Sequence, residues 1–205
     1  MTYARCFKRM FDLLLTLLAA PLIVPISLLI AALIKIDSCG PVLIKVRSLG
    51  QHHSTFYKYK FRTMGVDAEK VLENLLATNP EIRREYEATY KIRNDPRVTR
   101  FGRLLRRTSL DELAQLLNIV RGEMSWVGPR DILPKELEMY REFGSRLVTV
   151  RPGITGLWQV SGRSRLPYSE RVRLDMYYIC HLSLWLDLKI LFRTVPVVLL
   201  GDGAA

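Results

Sequence analysis

The chain begins with a long apolar segment and continues as a sequence of mixed character. Between Asp12 and Lys35 lie 22 uncharged, mostly apolar residues, Leu13 to Ile34. At about 1.5 Å per residue, a helix of this length would just cross about 30 Å of hydrocarbon. The segment is longer than the apolar core of a secretory signal and lacks a small-residue cleavage pattern, so we expect it to remain in the mature protein.

Two prolines lie in the middle of this segment. Pro21 and Pro25, with Val24 between them, predict a kink or break, because each proline removes a backbone donor and crowds the preceding turn. Basic residues flank both ends of the segment, which favours the cytoplasmic side for both: Arg5, Lys8 and Arg9 precede it, and Lys35, Lys45 and Arg47 follow it. We therefore favour a re-entrant helix-break-helix, with a single transmembrane crossing as the open alternative.

The polar part of the chain alternates between short strand patterns and helical patterns. After the turn at Gly40-Pro41, residues Val42 to Val46 and Thr55 to Phe61 read as strands. Apolar residues recur at helical spacing from Asp67 to Tyr90, and Asn79-Pro80 should divide that helix in two. The pattern predicts a helix-rich α/β fold with few short strands.

Other helices and turns follow. The tripeptide at 94–96, Asn-Asp-Pro, predicts a turn, and the stretch 144–162, rich in Gly, Pro, Arg and Thr, predicts an ordered loop that closes over a ligand or simply connects elements. Ser183 to Leu200 is apolar but carries three charges and a proline, which suits an interfacial or core helix better than a second crossing.

A basic stripe leads directly into two adjacent carboxylates. The segment Arg97 to Arg107 carries five arginines at near-helical spacing and no acid, and Asp111 and Glu112 follow. A solvated or membrane-surface helix would explain the stripe alone. Phosphate binding gains weight because the stripe runs straight into the acids.

The carboxylates also have a structural explanation. Ser109 and Glu112 form the spacing of a capping box, in which each would cap the other's backbone amide at a helix start. The same position keeps an acid ionised and presents amides to a phosphoryl group, so Asp111 could attack phosphorus or bind a divalent cation. Carboxylate oxygens favour Mg²⁺ over soft metals.

Composition narrows the choice of partners. The chain has 205 residues, enough for one domain with an apolar extension, and 31 Lys and Arg against 20 Asp and Glu give a net charge of +11. Such a balance favours anionic partners, namely phosphates, acidic lipids or nucleic acid. The three cysteines, Cys6, Cys39 and Cys180, show neither a disulfide framework nor zinc spacing, and we assign the adjacent His52 and His53 to a loop.

Six motifs, in order, resemble the bacterial sugar transferases, also called monotopic phosphoglycosyl transferases or undecaprenyl-phosphate sugar phosphotransferases. They are Phe7 to Asp12, Tyr59 to Met64, Arg106 to Leu113, Gly122 to Arg130, Arg151 to Gly156 and Leu174 to Tyr178. Each motif is weak alone, but six in the same order are specific. The resemblance covers nearly the whole chain.

The resemblance implies transfer of a sugar phosphate from a UDP-sugar to a polyprenyl phosphate, through a covalent aspartyl phosphosugar with Mg²⁺ and release of UMP. This is the first membrane step of glycan assembly, at the cytosolic face of the bacterial inner membrane. The expected organisation is a membrane-embedded re-entrant helix over residues 1–38 and a catalytic domain with interfacial helices over 39–205. Membrane phospholipid is an implied partner, dimerisation through surface helices a further expectation, and nucleic acid is not expected.

Site residues follow from the matched motifs. The resemblance makes Asp111 the nucleophile, with Glu112 beside it, and the two acids are the candidate metal ligands. Binding of phosphate or nucleotide is expected of Lys60, Arg62, Arg106, Arg130 and Arg151, with Asp175 as a further candidate. Guanidinium groups suit phosphate oxygens.

The chain departs from the family pattern at a few positions. Val24 stands before Pro25 where a serine is frequent, Lys45-Val46-Arg47 replaces the usual Gln-x-Arg, and Asp131 replaces a proline. These changes concern the hairpin and substrate fit more than the central chemistry. The competing hypothesis is a membrane-tethered basic protein that binds acidic lipid or nucleic acid through the arginine stripe, for which Asp111 would be dispensable.

Overall fold

The computed structural model describes residues 3, 7–89, 92 and 95–200. The helices are α1 (Lys8–Asp37), α2 (Ala68–Thr78), α3 (Pro80–Thr89), α4 (Arg100–Thr108), α5 (Leu116–Arg121), α6 (Gly144–Leu147), α7 (Tyr168–Cys180) and α8 (Leu184–Leu200). The strands are β1 (Leu43–Leu49), β2 (Thr55–Phe61), β3 (Ser125–Val127) and β4 (Gly153–Thr155). Short 3₁₀ segments cover Gln51–His53, Leu110–Gln115, Pro134–Phe143 and Arg163–Arg165. The helix-rich fold with few strands is confirmed.

Two small sheets organise the polar part of the chain. β1 and β2 form an antiparallel hairpin in which Leu43 faces Phe61 and Leu49 faces Thr55. β3 and β4 pair in parallel, with Ser125 beside Gly153. The predicted strands correspond to β1 and β2, and the division of the helical stretch at Pro80 is confirmed. The predicted turn falls partly on Asn94, which lies outside the described residues, as do Arg5, Cys6 and Tyr90.

The second sheet depends on a close approach of two backbones. At Gly128, just after β3, an added Cβ would lie 2.6 Å from the carbonyl oxygen of Arg151 and 2.7 Å from the amide nitrogen of Gly153. Only glycine fits at that separation. The segment 144–162, predicted as a loop, therefore contains α6 and β4 and forms part of the sheet.

Helix α1 differs from the prediction in one respect. It continues through Pro21 and Pro25 as one helix of 30 residues. The helix is therefore not interrupted at Pro21, Val24 and Pro25, where a break was predicted. The two prolines remove only two backbone donors, and the hydrogen bonds on either side hold the turns together. Among the described residues, α1 is the one helix long and apolar enough to cross a membrane.

Both ends of α1 pack on the rest of the chain. Near its start, Asp12 Oδ1 accepts hydrogen bonds from Ser125 Oγ at 2.9 Å and from the Trp126 amide at 3.1 Å. Near its end, Ile30 and Ile34 are buried in a cluster that also contains the following residues: Phe61, Leu105 and Ala114. Between these contacts lies a run of exposed leucines, which leaves the middle of the helix as an apolar surface.

Candidate functional site

The two adjacent carboxylates lie on the 3₁₀ segment that follows α4. Ser109 ends α4 in the left-handed conformation, with φ 56°, and its amide donates to the Arg106 carbonyl. The chain therefore changes direction immediately before Asp111 and Glu112, and the segment packs against β2. This turn brings both acids to the face of the β1–β2 hairpin.

The predicted capping box does not form. Ser109 makes no side-chain capping hydrogen bond, because a left-handed residue cannot act as an N-cap, which normally has extended backbone angles. The Glu112 amide donates to the backbone carbonyl of Ser109 instead, and the Glu112 carboxylate turns toward β2. The Glu112 side chain therefore does not cap the helix start, and its carboxylate contacts Lys60 instead.

Lys60 on β2 joins the two carboxylates. Its Nζ lies 3.0 Å from Asp111 Oδ2 and 2.9 Å from Glu112 Oε1. Burial opposes the charge on Lys60, but the carboxylates of Glu112 and Asp111 outweigh it and raise the lysine pKa. Burial would likewise raise the pKa of Glu112, yet Lys60 and then Arg130 lower it. Lys60 and the two acids therefore form a charged triad, and the predicted binding of phosphate by Lys60 stays a prediction.

Arg130 approaches the same acids from the end of β3. It follows Gly128-Pro129, and its guanidinium carbon lies 5.6 Å from the centre of the Trp158 ring. Burial disfavours its charge, but the negative charges of Glu112 and Asp131 more than compensate and raise its pKa. The cation is held beside Glu112 by the close approach of β3 and β4.

Arg106 flanks the site from α4. Its Nε donates to Thr63 Oγ1 at 2.9 Å. Burial lowers its pKa, and the charge of Asp111 opposes that change. Arg106 is thus near the nucleophile candidate, and its guanidinium is oriented by a hydroxyl group.

Arg163 is a site residue that the sequence did not single out. Its NH1 lies 3.5 Å from Ser109 Oγ, and its Nε donates to the Gln159 carbonyl at 3.3 Å. Burial lowers the pKa of Arg163. The negative charge of Glu112 opposes this change and the positive charge of Arg130 adds to it, so Arg163 lies near both groups. It comes one residue after the loop predicted to close over the ligand. Its φ of 52°, next to Gly162, brings it back to the acids, and no sequence pattern indicates that turn.

Two predicted phosphate ligands have other contacts. Arg62 is 5% exposed, its NH2 donates to the Ser38 carbonyl at 2.7 Å, and its NH1 donates to the Cys39 carbonyl. It thus binds the carbonyls that follow α1. The positive charge of Arg151 acts on Arg9 near the start of α1, and among the described residues no hydrogen bond or ion pair joins Arg151 to the two acids. The structure does not bring these two arginines to the pair of adjacent acids Asp111 and Glu112, called the dyad below, and their binding role stays a prediction.

Asp175 lies behind Arg130. It is 1% exposed, and its Oδ2 accepts a hydrogen bond from Tyr140 Oη at 2.7 Å. Burial raises its pKa to about 6, against the opposing effects of Tyr140 and Arg171. The backbone and guanidinium of Arg130 also act on this carboxyl. Asp175 therefore supports the segment that carries Arg130, and its role in binding stays a prediction.

The assembled site has more positive than negative charge. Two carboxylates face Lys60, Arg106, Arg130 and Arg163, and the side chains of the two acids are only 10% and 18% exposed. This arrangement suits an anionic ligand that one carboxylate can reach, as phosphoryl transfer requires.

Comparison with known proteins agrees with this chemistry. Residues 3–201 match the family model described as bacterial sugar transferase. The exopolysaccharide production protein ExoY of Rhizobium meliloti (strain 1021) is 47% identical over 197 residues, which cover 96% of this chain and 87% of that protein. The undecaprenyl-phosphate galactose phosphotransferase of Salmonella typhimurium (strain LT2) is 42% identical over 201 residues, 98% of this chain and 42% of that protein.

A further relative has a similar name. The undecaprenyl-phosphate glucose phosphotransferase of Komagataeibacter xylinus is 40% identical over 200 residues, 92% of this chain and 35% of that protein. The chain thus spans less than half the length of these two phosphotransferases and most of the length of ExoY. The resemblance seen in the six motifs is confirmed, and the chain belongs to the bacterial sugar transferase family.

Proposed function

We propose that the chain transfers a sugar 1-phosphate from a UDP-sugar to a polyprenyl phosphate such as undecaprenyl phosphate, with release of UMP. The observation that carries this proposal is the Asp111–Glu112 pair held by Lys60 at 3.0 and 2.9 Å among three arginines. The names of the Salmonella and Komagataeibacter relatives support the lipid acceptor and a hexose phosphate as the transferred group.

Asp111 acts as the nucleophile in two displacements at phosphorus. In the first, its carboxylate oxygen bonds to the β-phosphorus of the UDP-sugar, and the bond to the bridging oxygen breaks, so that UMP leaves with that oxygen. In the second, an oxygen of the polyprenyl phosphate bonds to the same phosphorus and the aspartyl oxygen leaves. The product is a polyprenyl-diphosphate sugar, and Asp111 is regenerated. Lys60, Arg106 and Arg130 stabilise the charge that develops on the phosphoryl oxygens.

A magnesium ion fits this site by its donor set. Lys60 contacts one oxygen of each acid, Asp111 Oδ2 and Glu112 Oε1, which leaves the second oxygen of each carboxylate for a cation. Mg²⁺ is commonly held by one or two carboxylates together with substrate phosphates, so no third acidic side chain is needed. When bound, it would supply charge neutralisation to the diphosphate. Asp111 and Glu112 are the residues that would hold it.

The membrane arrangement of α1 is part of the proposal. Lys8 at its start pairs with Asp187 of α8 at 2.6 Å, and Ile34 near its end packs in the cluster with Phe61. These residues are 26 positions apart, about 39 Å in a straight helix. A helix that crossed the hydrocarbon would place its ends on opposite sides, whereas here both ends contact the same polar domain. The contacts of both ends with one domain favour an α1 that does not cross the hydrocarbon, and its place at the cytosolic face of the bacterial inner membrane is part of the proposal.

UMP release tests the proposal. The full chain in detergent with MgCl₂ is given a panel of UDP-sugars, with and without undecaprenyl phosphate. We expect release that depends on the acceptor and is abolished in Asp111→Asn, while Asp67→Asn, which changes an exposed acid before α2, retains it. Release that survives in Asp111→Asn would exclude Asp111 as the nucleophile. No release from folded protein with any sugar would favour the membrane-tethered binding protein.

A further inference from the structure

Buried polar atoms without hydrogen-bond partners are concentrated around Arg171, whose guanidinium group lies over the Trp158 ring. In the described residues, ten buried side-chain nitrogen and oxygen atoms have no hydrogen-bond partner, and five of them belong to Arg171 and three residues that it contacts. The four residues are Trp158, Tyr168, Arg171 and Asp175. Buried polar atoms are nearly always paired in folded proteins, so this concentration points to a missing partner.

Arg171 is the centre of the group. Its guanidinium carbon lies 5.1 Å from the centre of the Trp158 ring and 5.3 Å from that of Tyr168. The side chain is 11% exposed, and both Nε and NH2 lack a hydrogen bond. Its one ion-pair contact, from Nε to Asp175 Oδ2, is 3.8 Å long, and that oxygen already accepts from Tyr140. A buried guanidinium with two unpaired nitrogens is costly unless an acceptor binds to it.

The unpaired atoms are mostly donors. Besides the two nitrogens of Arg171, they include Trp158 Nε1 and Tyr168 Oη, against one acceptor oxygen of Asp175. Positive charge together with several N–H and O–H donors suits an oxyanion, and planar guanidinium groups suit phosphate in particular. The chemistry therefore favours a phosphate group over a cation or a neutral sugar.

The group adjoins the dyad. Arg130 lies 5.6 Å from the centre of the same Trp158 ring that Arg171 contacts, and the charge of Arg130 acts on Glu112. Both guanidinium groups thus lie against the same indole ring. A ligand with two phosphate groups, or two ligands with one each, could contact both arginines.

We propose that Arg171, with Trp158 Nε1 and Tyr168 Oη, forms a second phosphate subsite beside the Asp111–Glu112 dyad. The inference rests on the proposed function and adds a binding residue to it. The subsite holds a substrate phosphate that is not under attack, either the α-phosphate of the nucleotide donor or the phosphate of the lipid acceptor before its turn. The same donors recognise both, and the experiment separates them.

The test compares Arg171→Gln with Arg173→Gln in the full chain in detergent. Arg173 is two residues away on α7, exposed, and paired only with Glu170, so it is a matched control for loss of one arginine. Calorimetric titration with UMP and with uridine, which lacks the phosphate, measures the donor side. The KM for undecaprenyl phosphate measures the acceptor side.

For a donor subsite, Arg171→Gln should weaken UMP binding on the order of 10- to 100-fold and leave uridine binding and the lipid KM unchanged. For an acceptor subsite, the lipid KM should rise by that factor while UMP binding stays the same. Arg173→Gln should change neither. Unchanged UMP binding and lipid KM in folded Arg171→Gln would overturn the proposal, as would equal losses for UMP and uridine.

Two milder variants protect the test from a folding defect. Trp158→Phe removes the indole N–H and keeps an aromatic ring, and Tyr168→Phe removes only the hydroxyl. Each should weaken the same phosphate ligand several-fold with little change in melting temperature, and a full retention of affinity in both would overturn the subsite. Because UMP binding is measured without turnover, it separates the two proposals. Intact transfer with UMP binding and lipid KM both indifferent to Arg171 removes the subsite alone, and Arg171-dependent UMP binding without transfer removes the proposed function alone.

Discussion

Replacement of Lys60 by methionine should alter the pH dependence of the reaction as well as its rate. Lys60 holds two adjacent carboxylates that would otherwise repel each other, and it is the largest favourable charge acting on Glu112. Methionine keeps the apolar part of the lysine stem and removes the ammonium group. The adjacent acids would then share one negative charge more readily than two, and the pair would take up a proton at higher pH.

The size of the change follows from the geometry. An opposite charge within about 4–6 Å commonly shifts a carboxyl pKa by about 1–3 units, or about 1.4–4 kcal/mol, and both contacts here are shorter. The sign is upward, because Lys60 lowers the pKa of Glu112 and its loss removes that effect. We expect the acid limb of kcat/KM to move up by about 1–3 pH units. The rate at pH 7 should fall on the order of 100-fold or more, since charge stabilisation of the phosphoryl group is also lost.

The assay is acceptor-dependent UMP release between pH 5.5 and 9 at a fixed MgCl₂ concentration. Lys45→Met on β1 is the control, because Lys45 is exposed and faces Tyr59 across the hairpin rather than the acids. Lys60→Arg restores the charge and should return the acid limb toward its original position. A loss of rate that is the same at every pH would refute the reasoning, because it would mean that Lys60 does not set the ionisation of the dyad.

Three further predictions concern stability, measured as melting temperature in detergent. Gly128→Ala should destabilise by several kcal/mol, because the added carbon meets backbone atoms of residues 151–153, while Gly65→Ala, with open space around it, should change little. Arg62→Ala should lower the melting temperature, since two carbonyls lose a buried donor, and leave UMP affinity within about twofold if its role is structural. Burial raises the pKa of Asp175 to about 6, above its ordinary 3.8, so the folded protein loses stability as pH rises from 4 to 7. The stability of Asp175→Asn relative to the wild type should therefore increase by about 1–3 kcal/mol over that range. A stability difference that does not depend on pH would contradict this.

Local patterns were enough to predict much of the fold. The strand Thr55 to Phe61 and the helix division at Pro80 depend on alternation and on proline geometry within a few residues, and both are confirmed. The parallel pair β3–β4 was missed because each strand has three residues and the two are far apart in the chain. Its one sequence signal is glycine at Gly128 and Gly153, which allows the backbones to approach but does not say which backbones.

In the site, too, the sequence predicted the residue types correctly but not which residues lie together. Lys60 and Arg62 are two residues apart, both basic and both in one motif, and the sequence offered no reason to separate them. The structure separates them because β2 ends at Phe61. Lys60, inside the strand, contacts Asp111, whereas Arg62, just after the strand, donates to the carbonyls that follow α1. Where a strand ends depends on tertiary packing, which single-sequence patterns describe poorly.

Each end of α1 contacts a segment of the chain that leads to one cation of the site, Arg130 or Lys60. At its start, Asp12 binds the backbone of Trp126 in β3, and the chain runs from β3 through Gly128-Pro129 to Arg130. At its end, the carbonyls that follow the helix bind Arg62, two residues beyond Lys60.

Each end of the apolar helix thus positions one cation that faces the dyad. Because the middle of α1 exposes a run of apolar side chains, a change in what covers that surface would be expected to move Lys60 and Arg130 relative to Asp111. Helix α1 is therefore better regarded as part of the site than as a tether. A tether could be exchanged for another apolar helix, whereas α1 must present Asp12 and the carbonyls of the two residues that follow it at a fixed separation.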